Sequence, residues 1–98
     1  MATEKLKSIQ GHIQKIKTEI GEIKEMRPGT LSRQYNATKS KKYYQLSYTH
    51  KMKSRTDYVR SQYVLELRNQ VKEYKRFKRL MDKWIDLSIE YSRLKMKN

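Results

Sequence analysis

Lysines, arginines and tyrosines are interleaved in the middle third of the chain, and their types and spacing suggest a definite chemistry. Residues 27–60 hold nine basic residues and one acid, Asp57, so they carry +8 of the net charge of +14. Six of the eight tyrosines lie between Tyr35 and Tyr63. Because cations neutralise phosphates and aromatic rings stack on bases, this pattern predicts a nucleic-acid-binding surface. The predicted contact residues are Arg33, Lys39, Lys41, Lys42, Lys51, Lys53, Arg55 and Arg60.

Three partners fit such a surface, and duplex DNA is the one we favour. Lysines and arginines displace counterions from phosphates, and a two-stranded ribbon fits the major groove. Tyrosine stacking would instead suit RNA or single-stranded DNA. In a third interpretation the chain is a coiled-coil adaptor whose basic middle binds an acidic protein. A competing basic surface lies in the last third, formed by Arg68, Lys72, Lys75, Arg76 and Arg79.

The chain offers little for catalysis or metal binding. It has no cysteine and only two histidines, His12 and His50. No glycine-rich phosphate loop follows a predicted strand. We therefore expect a non-enzymatic protein without a cofactor, a metal site or catalytic residues.

Hydrophobic periodicity predicts four segments in a single domain, residues 1–98. Residues 4–26 are predicted to form a helix, since apolar residues recur there in steps of three and four. Residues 27–42 are predicted to be a loop, with either a short helical turn or an extended piece around Leu31 to Tyr35. Residues 43–60 are predicted to form a basic, tyrosine-rich β-hairpin, and residues 62–97 one long helix. The fold class is thus α+β, mostly α: a long, coiled-coil-like antiparallel helical pair with an inserted hairpin. The apolar seam of the first helix consists of Leu6, Ile9, Ile13, Ile16, Ile20 and Ile23.

The unequal lengths of the two helices predict a homodimer. If the hairpin bridges their near ends, Ile23 lies near Leu67 and Leu6 lies near Trp84. The long helix would then be uncovered from residue 85 to residue 96, and a second copy would cover it. A second apolar set, consisting of Met81, Ile85, Ile89 and Met96, widens the stripe in this part of the helix. The predicted dimer contacts are Trp84, Leu87, Tyr91 and Leu94.

Hydropathy and the N-terminal residues predict a cytoplasmic protein without membrane contact. The longest apolar run has three residues, far below the ~20 that cross a bilayer. The N-terminus has no apolar segment of the kind found in secretory signals. If the partner is DNA, we expect the protein to associate with the nucleoid.

Four sequence segments resemble a family of small uncharacterised prokaryotic proteins found in mobile-element and transposase neighbourhoods. They are residues 27–36 (RPGTLSRQYN), 43–49 (YYQLSYT), 54–60 (SRTDYVR) and 74–82 (YKRFKRLMD). The resemblance implies the same domain layout and, through that neighbourhood, a regulator or accessory protein of a mobile element or virus. Many members carry a cysteine-rich stretch where this chain has residues 37–42 (ATKSKK). A metal or redox role suggested for those members therefore does not carry over.

Overall fold

The computed structural model describes residues 2–36 and 41–97, which form two helices and a three-stranded sheet. The α+β, mostly α fold is as predicted. The chain divides into two compact units: a helical unit of residues 2–24 and 76–97, and a sheet unit of residues 25–75. The elements are α1 (Ala2–Gly21), β1 (Thr30–Asn36), β2 (Lys41–His50), β3 (Lys53–Val59), a 3-10 turn (Ser61–Tyr63) and α2 (Val64–Met96).

In the helical unit, α1 packs antiparallel against the second part of α2, as the isoleucine seam predicts. Ile9 and Ile16 of that seam are buried, and Leu80 of α2 is buried as well. Polar contacts along the pair run in opposite chain directions, which fixes the antiparallel arrangement. They join Lys5 Nζ to Glu90 Oε1 (3.7 Å), Gln10 Nε2 to Tyr91 Oη (3.0 Å), Lys17 Nζ to the Trp84 ring centroid (5.3 Å) and Arg76 Nη2 to Glu22 Oε2 (3.2 Å).

The predicted register of this helical pair is wrong by about two helical turns. Lys17, rather than Leu6, lies beside Trp84, and Lys5 lies beside Glu90. The reason is that α1 ends at Gly21 rather than residue 26, and α2 up to residue 75 belongs to the sheet unit. The first helix therefore pairs only with the part of α2 that begins at Arg76. The long uncovered stretch that we expected from residue 85 onward has α1 beside it.

The sheet has three strands, whereas the sequence predicted a hairpin preceded by a loop. Its order is β1-β2-β3, and both pairings are antiparallel. Residues 30–36 of the predicted loop form β1, and β2 begins at Lys41, two residues before the predicted hairpin. β1 is stabilised by seven register pairs with β2, from Thr30↔Ser47 to Asn36↔Lys41, and by Leu31 packing on the core.

The core of the sheet unit lies between one face of the sheet and the beginning of α2. Leu46 in the central strand is completely buried, and Val59, Val64 and Val71 surround it. Leu31, Tyr44 and Leu67 pack against this cluster. Since an isolated hairpin is marginally stable in water, the third strand and the helix supply the apolar surface that it needs.

The entry into β1 requires glycine. Gly29 has a φ of +137°, and a Cβ atom there would lie 2.9 Å from the carbonyl oxygen of Ser47. We expect Gly29→Ala to lower the free energy of unfolding by about 2 kcal/mol or more, since it adds backbone strain to a clash with the central strand. Gly11→Ala is the matched control, because Gly11 lies in α1 with nothing within 4 Å of such a Cβ. It should raise stability by up to about 1 kcal/mol.

Urea denaturation of the two glycine variants measures both effects. Equal stability of Gly29→Ala and the wild type would contradict the account of this turn.

Candidate nucleic-acid interface

The end of the β2–β3 hairpin continues as a two-stranded ribbon beyond the third strand. The pairing of β1 with β2 stops at Thr30↔Ser47, whereas β2 and β3 pair on to His50↔Lys53. We name residues 48–55 the basic ribbon. Every residue from Thr49 to Arg55 is exposed. The ribbon is therefore the most accessible part of the basic middle segment that the structure describes.

The ribbon closes in an unusual two-residue turn. Lys51 and Met52 both have positive φ, at 52° and 65°. Two-residue hairpin turns of this handedness normally carry Asn-Gly, because other side chains are strained there. A hydrogen bond between the Thr49 and Ser54 hydroxyls, 3.1 Å apart, joins the two strands just behind the turn. Strain of this kind clusters at functional sites, where the rest of the fold maintains it.

Three cations lie together on the ribbon: Lys51, Lys53 and Arg55. Among the described residues, no acid forms an ion pair with any of them. Asp57, the one acid of residues 27–60, accepts a 2.8 Å hydrogen bond from Arg27. The same Arg27 guanidinium lies over the Tyr48 ring, 4.8 Å from its centroid. Asp57 is thus neutralised from another part of the sheet unit and leaves the ribbon cations available to an external anion.

Two other predicted contact residues, Arg33 and Arg60, do not join this group. Arg33 lies on β1 opposite Tyr44, and Arg60 follows the far end of β3. Both are exposed. Lys39 lies outside the described residues, as do the side chains of Lys41 and Lys42. Of the five predicted residues whose side chains the structure describes, it therefore brings together three.

The tyrosines divide between the two faces of the sheet. Tyr44 and Tyr48 share the face of Leu46, where Tyr44 packs on the core. Tyr43 and Tyr58 lie on the other face, with ring centroids 6.0 Å apart and planes tilted by 52°. Tyr58 remains 78% exposed. The outer face thus offers an accessible aromatic ring that a neighbouring ring supports.

The competing basic surface on α2 is also available within the sheet unit. Arg68, Lys72 and Lys75 follow helical spacing and are exposed. Arg76 belongs to the helical unit and differs from these three residues, because it forms ion pairs with Glu19 and Glu22. The helix therefore presents a three-residue stripe that has the same number of cations as the ribbon.

The predicted dimer residues contribute to the helical unit itself. Trp84, Leu87, Tyr91 and Leu94 are all half-buried, and Tyr91 accepts a hydrogen bond from Gln10. In this part of α2, the exposed apolar side chains belong to the second apolar set, which consists of Met81, Ile85, Ile89 and Met96. Ile85 is 51% exposed, Ile89 45% and Met96 76%. They line an open groove of about 510 Å³ on α2, together with Met81, Trp84 and Arg93.

The role of Arg27 was missed at the sequence level, where this residue is placed only at the beginning of the predicted loop. Its partner Asp57 is 30 residues away, so no local spacing could reveal the ion pair. The exposed set of Ile85 and Ile89 was visible as a widening of the apolar stripe.

Among the described residues there is neither a helix that could span a membrane nor a group of side chains that could hold a metal ion. Neither described helix has the length and apolar character required to cross a bilayer. Within residues 2–36 and 41–97, no three His, Asp or Glu residues are grouped so as to hold a metal ion.

Comparisons with models of known protein families, with curated proteins and with solved structures find no match to this chain.

Proposed function

We propose that this protein is a non-enzymatic binder of double-stranded DNA that inserts its basic ribbon into the major groove. The observation that carries the proposal is the exposed two-stranded ribbon with three cations and no acidic partner among the described residues. Lys51 and Lys53 contact phosphates. Arg55, held on a strand, makes a bidentate contact to a phosphate or a guanine edge.

The net charge of the sheet unit is the first observation that supports this proposal. Residues 25–75 hold twelve basic and four acidic residues, for a net charge of +8. Asp57 is paired with Arg27, and Glu25 accepts a hydrogen bond from Gln70. Collecting so much charge of one sign in a small unit destabilises it unless an anion compensates. The closely spaced phosphates of DNA supply that anion.

The length of the ribbon is the second observation that supports this proposal. Three register pairs extend past the end of the pairing with β1, namely Tyr48↔Arg55, Thr49↔Ser54 and His50↔Lys53. At about 3.4 Å per residue they project roughly 10 Å. The major groove is about 8.5 Å deep and 12 Å wide, and it admits a two-stranded ribbon. A ribbon of this length therefore reaches the floor of the groove.

Binding measurements across salt concentrations test the function. Fluorescence anisotropy should be measured with a duplex, with one of its strands, with an RNA of the same length and with polyglutamate. We expect the duplex to bind best, with log K falling against log salt at a slope of about −3 or steeper, because at least three cations displace counterions. Tighter binding of polyglutamate than of any nucleic acid would favour the acidic-protein adaptor. Preference for the single strand or the RNA over the duplex would overturn the major-groove assignment.

A second copy of the chain is the proposed occupant of the α2 groove. Between residues 81 and 96, three acids balance three basic residues, whereas residues 25–75 carry a net charge of +8. In an antiparallel two-fold pair, Asp82 and Asp86 of one copy lie opposite the Arg93 and Lys95 end of the other. Such pairing buries the exposed isoleucines of both copies in a self-complementary contact.

We expect Ile85→Lys combined with Ile89→Lys to convert the dimer to a monomer, because it places cations in the apolar contact. Sedimentation equilibrium at tens of micromolar should show the mass fall from twice that of the chain to that of one chain. Leu65→Lys is the control, because Leu65 is also on α2 and 69% exposed but lies in the sheet unit. A wild type that is monomeric at this concentration would contradict the dimer.

We further propose that the protein serves a mobile element as a regulator or accessory factor. The resemblance in residues 27–82 supports this role. Tighter binding to the terminal sequences of the element that carries its gene than to unrelated duplex DNA would be the expected result.

A further inference from the structure

A second candidate site lies in the sheet unit where the chain leaves β3 and enters α2. A surface cleft of about 330 Å³ opens there, close to the lower limit of the cavities that hold small ligands. No residue of the basic ribbon lines it. The residues that matter for its chemistry are Tyr58, Arg60, Tyr63, Glu66, Leu67 and Gln70.

Two tyrosines, Tyr58 and Tyr63, line this cleft. Tyr58 is 78% exposed and Tyr63 is 48% exposed. On the outer face of the sheet, Tyr43 supports the Tyr58 ring. The cleft is also lined by Val59, which is buried, and by Leu67, which packs on the core. A flat aromatic ligand in this cleft gains stacking on a tyrosine ring and apolar contact with Leu67.

The polar groups around the cleft suit a base that carries a phosphate. Arg60 has an extended backbone (φ −69°, ψ 144°), so it follows Tyr58 on the same face of the chain. Arg60 has no ion-pair partner among the described residues. Gln70 is held at both ends: its side-chain amide donates to Glu25, and its backbone carbonyl accepts from the Arg27 N–H. The Gln70 side-chain oxygen and the Glu66 carboxylate supply acceptors for the amino and imino groups of a base.

We propose that this cleft binds an unpaired base of a single-stranded nucleic acid. The base stacks on Tyr58 and Tyr63, and its phosphate contacts Arg60. Bases in a duplex are stacked on one another and cannot offer their faces to aromatic side chains, whereas single strands can. The net charge of +8 on residues 25–75 favours a strand with many phosphates over a free nucleotide with one. The site functions independently of the ribbon and does not rest on the proposed duplex binding.

The test compares two oligonucleotides of equal length and charge. One is a thymidine homopolymer and the other has the same backbone with abasic sugars. Anisotropy with the full chain should show the thymidine strand binding about tenfold more tightly, the contribution expected from stacking one or two bases. Tyr58→Leu with Tyr63→Leu should abolish that preference, whereas Tyr58→Phe with Tyr63→Phe should keep it, because phenylalanine retains the stacking ring.

Controls separate this site from the ribbon. Circular dichroism should give the same folded spectrum for all variants, since neither tyrosine is buried. Lys51→Gln with Lys53→Gln and Arg55→Gln should leave the ratio of the two affinities unchanged, whether or not duplex binding depends on the ribbon. Equal binding of the two strands by the wild type would overturn the proposal, as would a preference that survives the leucine variant. Competition by thymidine monophosphate at the same nucleotide concentration would also overturn it, by making a free nucleotide the ligand.

Discussion

The combined variant Lys51→Gln, Lys53→Gln and Arg55→Gln is expected to bind duplex DNA roughly 100-fold more weakly than the wild type. Each cation makes one charge-assisted contact worth about 1 kcal/mol or more, so three together account for this loss. The salt dependence should change as well. Each phosphate contact contributes about 0.9 to the slope of log K against log salt. The slope should therefore become flatter by about two units if Arg55 contacts a guanine edge, and by about three if it contacts a phosphate.

The helical stripe of the sheet unit provides a matched control for this loss. Arg68→Gln with Lys72→Gln and Lys75→Gln also removes two lysines and one arginine, so both variants have the same net charge. A general effect of charge would weaken binding equally in the two variants. We expect the helix variant to lose only a few-fold in affinity. If it loses binding while the ribbon variant binds normally, the site lies on α2.

Leu46→Ala is expected to lower the free energy of unfolding by about 3–5 kcal/mol. Leu46 is completely buried in the central strand and packs between β1, β3 and the beginning of α2. Truncation removes its apolar contacts and leaves a cavity that strands on both sides cannot easily fill. Since domains of this size are stabilised by about 5–15 kcal/mol, this one change should remove a large part of the total. Urea denaturation followed by circular dichroism measures it.

Leu65→Ala is the corresponding control, because it makes the same chemical change at a side chain that is 69% exposed. It should alter stability by no more than about 0.5 kcal/mol. If Leu46→Ala costs as little as Leu65→Ala, the sheet does not form its core on α2.

The helices of this protein could be predicted from the sequence, because their apolar residues keep a helical period over many turns. The isoleucine seam of α1 marks the face that Ile9 and Ile16 bury, and the absence of Pro and Gly marks α2 as one long helix. The antiparallel pairing followed from these two patterns. The register did not, because it depends on where α1 ends and on how much of α2 the sheet uses.

The first strand could be predicted only as a possible extended piece within the loop, since its residues carry little local information. Within β1, only Leu31 and Tyr35 break a run of polar residues, and such a run is typical of a loop. Its strand conformation comes from backbone pairing with β2, which lies beyond it in the chain. The turn at Lys51 and Met52 was equally hidden, because neither residue favours positive φ.

The candidate site could be predicted in part. Clustering of basic residues pointed to Lys51, Lys53 and Arg55, which the ribbon brings together. Arg60 is not part of the ribbon, because it follows the far end of β3. The pairing of Arg27 with Asp57, by contrast, depends on the tertiary fold.

Methylation protection of a bound duplex by dimethyl sulfate tests the central claim most directly. The reagent modifies guanine N7 in the major groove and adenine N3 in the minor groove, so it distinguishes the two groove assignments. With the ribbon in the major groove, we predict protection of guanine N7 by the wild type and its loss in the Lys51, Lys53 and Arg55 glutamine variant. Protection of adenine N3 alone, or duplex binding that leaves every guanine N7 reactive, would contradict the account.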